Sequence, residues 1–144
     1  MCLNMKIRAY KKKDKEPIKE FISSILMEIF NVNYTEGLED LDDIDNNFDV
    51  FYIIEKNKEI IGTIGVKNQR DGRISRMYIR KSERGKGYGR RLMEKALDFC
   101  KNKYNRLFLT TYPQLNSYGF YKKMGFKEFK RDKRIWMEKY QKKH

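Results

Sequence analysis

Apolar residues recur along this chain with two periods, and the switches between them outline its elements. Ile18, Phe21, Ile22, Ile25, Leu26, Ile29 and Phe30 repeat every three or four residues, the spacing of one helix face. Asp14 and Pro17 mark its start, where proline's missing N–H costs nothing. Residues 5–10 ahead of it alternate enough for a strand. Leu38, Leu41 and Ile44 behind it line a short helix, with Gly37 as the breaker. Residues 48–55 and 59–66 are then apolar and β-branched around Asn57 and Lys58, a hairpin pattern. A polar turn over 68–72 leads to a third strand, 73–80. Helical spacing returns with Leu92, Met93, Ala96, Leu97, Phe99 and Cys100, for a helix over 87–103. Residues 106–111 read as a short buried strand and 115–124 as a helix ended by Gly125. Strands 126–130 and 134–138 close the chain around Asp132.

This order predicts one α/β domain over residues 1–144, built on a mixed, mostly antiparallel central sheet of about seven strands with helices on both faces. The crossover from strand 73–80 through the helix to strand 106–111 makes that pair parallel. The chain shows no internal repeat and no low-complexity segment.

Composition narrows the class. At 144 residues, 40% apolar and 14% aromatic, the chain can bury one sizeable core. No apolar run approaches a membrane span, and the first residues lack a signal-peptide pattern, so a soluble cytoplasmic protein with no membrane partner is expected. Cys2, Cys100 and a single histidine, at position 144, are too few for a disulfide framework, and they argue against a metal site and against a His-dependent triad. The net charge of +13 demands a partner, and nucleic acid or a phosphorylated cofactor would serve. The charge is also split. Residues 31–49 hold no Lys or Arg but seven acids: Glu36, Glu39, Asp40, Asp42, Asp43, Asp45 and Asp49.

The candidate chemistry sits between the third strand and the second long helix. Arg84, Gly85, Lys86, Gly87, Tyr88, Gly89, Arg90 and Arg91 alternate glycines with cations. Glycines let a polyanion approach the backbone, and the N–H groups of a helix's first turn favour negative charge. The stretch reads as a pyrophosphate cradle. It lacks the Gly-Lys-Ser/Thr ending of a Walker loop. It also fails the dinucleotide fingerprint, because Arg90 stands where the third glycine should be.

The remaining pattern, Arg84-x-x-Gly87-x-Gly89, resembles the acetyl-CoA loop of the GNAT-type N-acetyltransferases. Met77-Tyr78-Ile79-Arg80 is similar to that family's central strand. Asn116, with Tyr121-Lys122-Lys123-Met124-Gly125-Phe126, is similar to its second signature. The resemblance covers nearly the whole chain. It implies acetyl-CoA as co-substrate, with backbone groups of Met77, Tyr78 and Ile79 beside the acetyl and pantetheine part. Arg84, Gly85, Lys86, Gly87, Tyr88, Gly89 and Arg90 would hold the pyrophosphate, mostly through N–H groups. Asn116 would bond the pantetheine arm, or else cap the helix. Tyr121 would be the general acid. The central strands of such enzymes splay apart and leave backbone groups for the ligand.

The chemistry suits a chain without an internal histidine. A primary amine attacks the thioester directly, and a phenol can reprotonate the leaving thiolate. Many relatives carry a glutamate near the position of Arg73; here either a base lies elsewhere, with Glu36, Glu55 and Asp71 as candidates, or the amine loses its proton to solvent. The acid-rich segment suggests a cationic acceptor: a polyamine, aminoglycoside, basic amino acid, or a protein lysine or N-terminus. The alternatives are transfer of a longer acyl group, or a catalytically inactive CoA-sensing or nucleic-acid-binding module on the same fold. The loop explains part of the positive charge without nucleic acid. The C-terminal strands could pair two subunits into a homodimer.

Overall fold

A computed structural model describes residues 5–31 and 37–141. Strand β1 (Met5–Ala9) leads into α1 (Lys15–Phe30). A 3-10 turn (Glu39–Asp43) and α2 (Ile44–Asn47) precede three strands, β2 (Val50–Lys56), β3 (Glu59–Gln69) and β4 (Asp71–Ile79). Helix α3 (Tyr88–Cys100) crosses to β5 (Arg106–Thr111). A 3-10 turn (Pro113–Leu115), α4 (Tyr118–Lys123), β6 (Lys127–Arg131) and β7 (Ile135–Tyr140) complete the chain. The strands form one seven-stranded sheet in the order β1-β2-β3-β4-β5-β7-β6. Every neighbouring pair is antiparallel except β4 and β5.

Each face of the sheet buries one helix stripe. Ile18, Phe21, Ile22, Ile25 and Leu26 of α1 pack with Leu41, Ile44, Phe51 and Ile53 on one side. Leu92, Met93, Ala96 and Cys100 of α3 pack with Ile64, Val66, Leu107 and Leu109 on the other. Burying a side chain such as Leu92 is worth roughly 1.5–3 kcal/mol, so these two stripes fix where the helices sit.

Two boundaries differ from the sequence expectation. The polar turn over 68–72 shrinks, because Gln69 pairs with Asp71 and only Arg70, at φ 72°, turns the chain. Polarity there marks an exposed strand end rather than a loop. The helix expected over 115–124 begins only at Tyr118, because Asn116 is left-handed at φ 53° and ends the preceding 3-10 turn. The helix N-cap position therefore belongs to Ser117, not Asn116. Asp14 does stand at the start of α1, yet its carboxylate bonds no helix N–H. It accepts from the Lys11 N–H at 2.8 Å and from Arg8 at 2.8 and 3.0 Å.

The feature that positions the site is the short contact between β4 and β5. They pair only at Gly72↔Leu107 and Arg73↔Phe108. Gly72 permits this contact, since a Cβ there would lie 2.7 Å from both Leu107 and Tyr104. Beyond it the strands part, and the gap opens on the residues that the sequence marked.

Candidate active site

The gap is shaped first by a bulge in β4. Ser75 pairs with Gly65 and Tyr78 with Thr63, so Arg76 and Met77 together face the single residue Ile64. Arg76 is left-handed at φ 53°. The Thr63 hydroxyl donates to its carbonyl at 2.8 Å. Its guanidinium donates to both oxygens of Asp40, at 3.0 and 2.7 Å, and to the Gly37 carbonyl at 2.7 Å. Lys67 adds a third cation contact to Asp40 at 3.1 Å. The acid-rich segment is thereby tied to the bulge. Past it, the Arg80 N–H bonds the Ile61 carbonyl, so the Ile79 backbone groups point away from β3 into the gap.

The glycine loop follows. Gly85 (φ 78°) and Gly87 (φ 87°) adopt backbones that favour glycine, and no heavy atom lies within 4 Å of where their Cβ atoms would stand. Open space is what an incoming phosphate needs. Gly87 is the N-cap of α3, whose first N–H groups lack helical acceptors until Arg91 bonds the Gly87 carbonyl. The loop's cations are largely engaged. Arg84 donates to Glu28 of α1 at 2.7 and 2.9 Å and to the Ile79 carbonyl at 2.9 Å. Lys86 sits 3.2 Å from Glu83, which also holds Lys56 at 2.6 Å. Backbone N–H groups remain as the loop's main anion donors.

Tyr121 of α4 closes the gap. Its ring stands edge-on to Phe120 and Phe126, at 5.5 and 6.3 Å. Burial pushes its phenol well above the usual range, and the neighbouring Tyr78 pushes the same way. The nearby Ser117 hydroxyl opposes both. That hydroxyl lies 3.1 Å from the Thr111 hydroxyl. Tyr78 is also raised by burial. Both tyrosines therefore stay protonated at neutral pH.

Two cavities open on this frame. One, of about 390 Å³, runs along Ile79, Gly85, Gly87, Gly89, Asn116 and Phe120. The other, of about 1010 Å³, runs along Asp40, Arg73, Arg76, Thr110, Tyr112 and Lys133. Met77, Tyr78, Leu115 and Tyr121 line both. A long phosphorylated ligand and a second reactant can thus approach one point from opposite sides.

A family model described as the Acetyltransferase (GNAT) family matches residues 19–126. The chain belongs to that family. An acetyltransferase of the GNAT family from Staphylococcus aureus Mu50 superposes with a TM-score of 0.86 at 25% identity, over 96% of this chain and 99% of that one. The PaiA N-acetyltransferase of Thermoplasma acidophilum, solved with coenzyme A, gives 0.79 at 22% identity, over 95% and 99%, a likeness of fold. The histone acetyltransferase GCN5 of Debaryomyces hansenii is 32% identical over 89 residues, which is 59% of this chain. The chain spans only about a fifth of the length of that curated relative.

Within this GNAT fold, the residues expected at the site divide cleanly. Met77, Tyr78, Ile79, Arg84, Gly85, Gly87, Tyr88, Gly89, Arg90, Asn116 and Tyr121 all line the smaller cavity, whereas Lys86 does not. Two of the candidate bases stand elsewhere. Glu55 faces Arg8 at 3.1 Å and Asp71 faces Arg106 at 2.9 Å, and neither lines either of these two cavities. Glu36 lies outside the described residues. Of the acid-rich segment, Glu39 and Asp40 reach the larger cavity. Asp42 faces Lys19 at 2.6 Å, Asp43 caps Asn46 and Asp49 accepts from Tyr104. Sequence reading took Asp40 only as one of the acid-rich block and passed over Thr111 and Ser117; Asp40 gains its place through Arg76, 36 residues away. No group of His, Cys, Asp or Glu among the described residues could hold a metal ion. No helix of the described residues is long and apolar enough to cross a membrane.

Proposed function

We propose that the chain transfers an acetyl group from acetyl-CoA to a primary amine. The observation that carries this reading is the meeting of the two cavities at Met77, Tyr78, Leu115 and Tyr121. The glycine loop and the first turn of α3 take the pyrophosphate on backbone N–H groups. Asn116 and the backbone of Met77, Tyr78 and Ile79 take the pantetheine and acetyl part in the gap beyond the β4–β5 contact. The likeness of fold to PaiA, a protein solved in complex with coenzyme A, supports this placement.

The amine enters from the larger cavity and its lone pair attacks the thioester carbonyl carbon. A backbone N–H of the splayed strand stabilises the oxyanion that forms. The C–S bond then breaks, the thiolate takes the proton of Tyr121, the nitrogen sheds its extra proton to water as the amide forms, and water returns a proton to the phenolate. Burial raises this phenol, but the same dry site raises the departing thiol, so the proton moves between groups shifted in the same direction. The acid-rich segment gives a cationic acceptor little support here: Asp40 is held by Arg76 and Lys67, which leaves Glu39 as the other acid of the segment that lines the larger cavity.

Thiol release from acetyl-CoA with a panel of amines tests the reaction. Tyr121→Phe keeps the packed ring and loses only the hydroxyl. It is expected to lower kcat by about 10²–10⁴-fold, the usual worth of a general acid, with an unchanged melting temperature. An unchanged kcat assigns the proton to another donor. No thiol release from the wild type with any amine, together with salt-sensitive binding of DNA or RNA, favours the inactive-module alternative.

A further inference from the structure

Arg73 is a half-buried cation of the larger cavity with no counter-ion among the described residues. Other arginines embedded in this sheet have one: Arg8 on Asp14 at 2.8 Å, Arg76 on Asp40 at 2.7 Å and Arg106 on Asp71 at 2.9 Å. Arg73 is half-buried, and among the described residues no carboxylate lies within ion-pair distance of it. It donates instead to the Thr110 hydroxyl at 3.1 Å and to the Gln69 side-chain oxygen at 3.3 Å, and lies 5.6 Å from the Phe108 ring. These neutral contacts aim the guanidinium without neutralising it. Burial and the charge of Arg134 both weaken its hold on its proton, against only a minor opposing effect of Asp40. Lys133 lines the same cavity. A half-buried, aimed and unpaired cation carries a desolvation cost that an anionic ligand would offset.

The register gives the direction. Arg73 pairs with Phe108, and its guanidinium spans from Gln69 to Thr110, two residues further along β5 toward the open end of the gap. The cavity it lines continues to Met77, Tyr78 and Tyr121.

We infer that Arg73 is a specificity-determining residue that binds an oxyanion, carboxylate or phosphate, carried by the acceptor away from its reactive amine. The acceptor is then an amine with an acidic tail rather than a polycation. The inference rests on the acetyl-transfer reading for where the amine sits, but the anion subsite can be measured by itself.

The probes are matched pairs: 5-aminopentanoate against 5-aminopentanamide, and 3-aminopropyl phosphate against 3-aminopropanol. Spermidine is the polycationic control. Calorimetric titration into the full chain with CoA present is expected to show tighter binding of the acid of at least one pair by about 10–100-fold, the worth of a charge-assisted hydrogen bond. The better pair says whether the tail is a carboxylate or a phosphate. In Arg73→Gln that preference should collapse to within about twofold, and Arg73→Lys should keep part of it. Melting temperatures confirm that both variants fold. Equal or absent binding of acid and neutral partner in the wild type, stronger binding of spermidine, or a preference that survives Arg73→Gln would each overturn the inference. Where thiol release occurs, kcat/KM should follow the same ratios. If no amine releases thiol, the acetyl-transfer reading fails, while the binding ratios still decide the anion subsite.

Discussion

Arg76 holds a left-handed backbone that costs a non-glycine residue about 1–2 kcal/mol, and its side chain explains why the bulge persists. Three hydrogen bonds to Asp40 and Gly37, with the Thr63 hydroxyl on its carbonyl, keep it there. Arg76→Ala should lose about 2 kcal/mol in urea unfolding, since Asp40 keeps Lys67 as a partner. Arg76→Gly should lose about 1 kcal/mol less, because glycine adopts that backbone freely. Equal losses would mean that the backbone stores no strain. Cys100 is the opposite case, a residue with reactive chemistry made inert. It is fully buried, and burial pushes its thiol up to about 12. In a Cys2→Ser variant, an alkylating reagent at pH 8 should leave Cys100 untouched until denaturant is added. Rapid labelling of the native protein would show a more open α3. The place of Cys100 on a helix face was legible in the sequence; the left-handed Arg76 was not, because nothing local separates it from Ser75 or Met77.

At the scale of elements, helical periodicity located α1 and α3 because each buries one continuous stripe. It misplaced the start of α4, because Leu115 and Asn116 have suitable spacing but belong to a turn that faces the cavity. The link between α1 and the glycine loop is tertiary. Glu28 and Arg84 are 56 residues apart, and their bidentate pair, with Arg84 on the Ile79 carbonyl, braces the loop against α1. Arg84 is then a positioning residue as much as a phosphate ligand. Glu28→Gln should raise the KM for acetyl-CoA about threefold, the scale of a partly exposed ion pair, and leave kcat at saturation unchanged. Raising salt should narrow the gap between variant and wild type. An effect on kcat alone would separate this pair from cofactor binding.

Across the whole molecule, charge is organised as pairs between distant segments. Asp14, Glu55 and Glu83 are held below the usual carboxylate range chiefly by cation contacts at Arg8 and Lys56, against the opposing effect of burial; for Asp40 burial is the largest single effect and raises it, but Arg76 and Lys67 together outweigh it. A folded-state pKa below the unfolded value of about 4 means that the stabilisation is complete at neutral pH and is lost as pH falls through the folded value. Unfolding midpoints should therefore hold from pH 7 to about pH 5 and drop below about pH 4. Asp14→Asn should cost about 2–3 kcal/mol at pH 7, because it leaves Arg8 with Glu55 alone. The difference from wild type should shrink in acid, where Asp14 is itself protonated. A gap that stays constant down to pH 3 would assign the loss to packing.

The sequence by itself determined the elements, the two helix stripes and the glycine loop, because each is encoded in spacings of two to seven residues. It also carried the signatures that place the chain in the acetyltransferase family. Tertiary structure alone decided where the charges go. The acid-rich segment was legible as a block, but its Asp40 is claimed by Arg76, 36 residues away. No spacing rule could show that, or that Arg73, three residues before Arg76, would have no carboxylate partner among the described residues. Ion pairing over such separations depends on which strands lie side by side, and the brief contact of β4 with β5 at Gly72 and Arg73 set that.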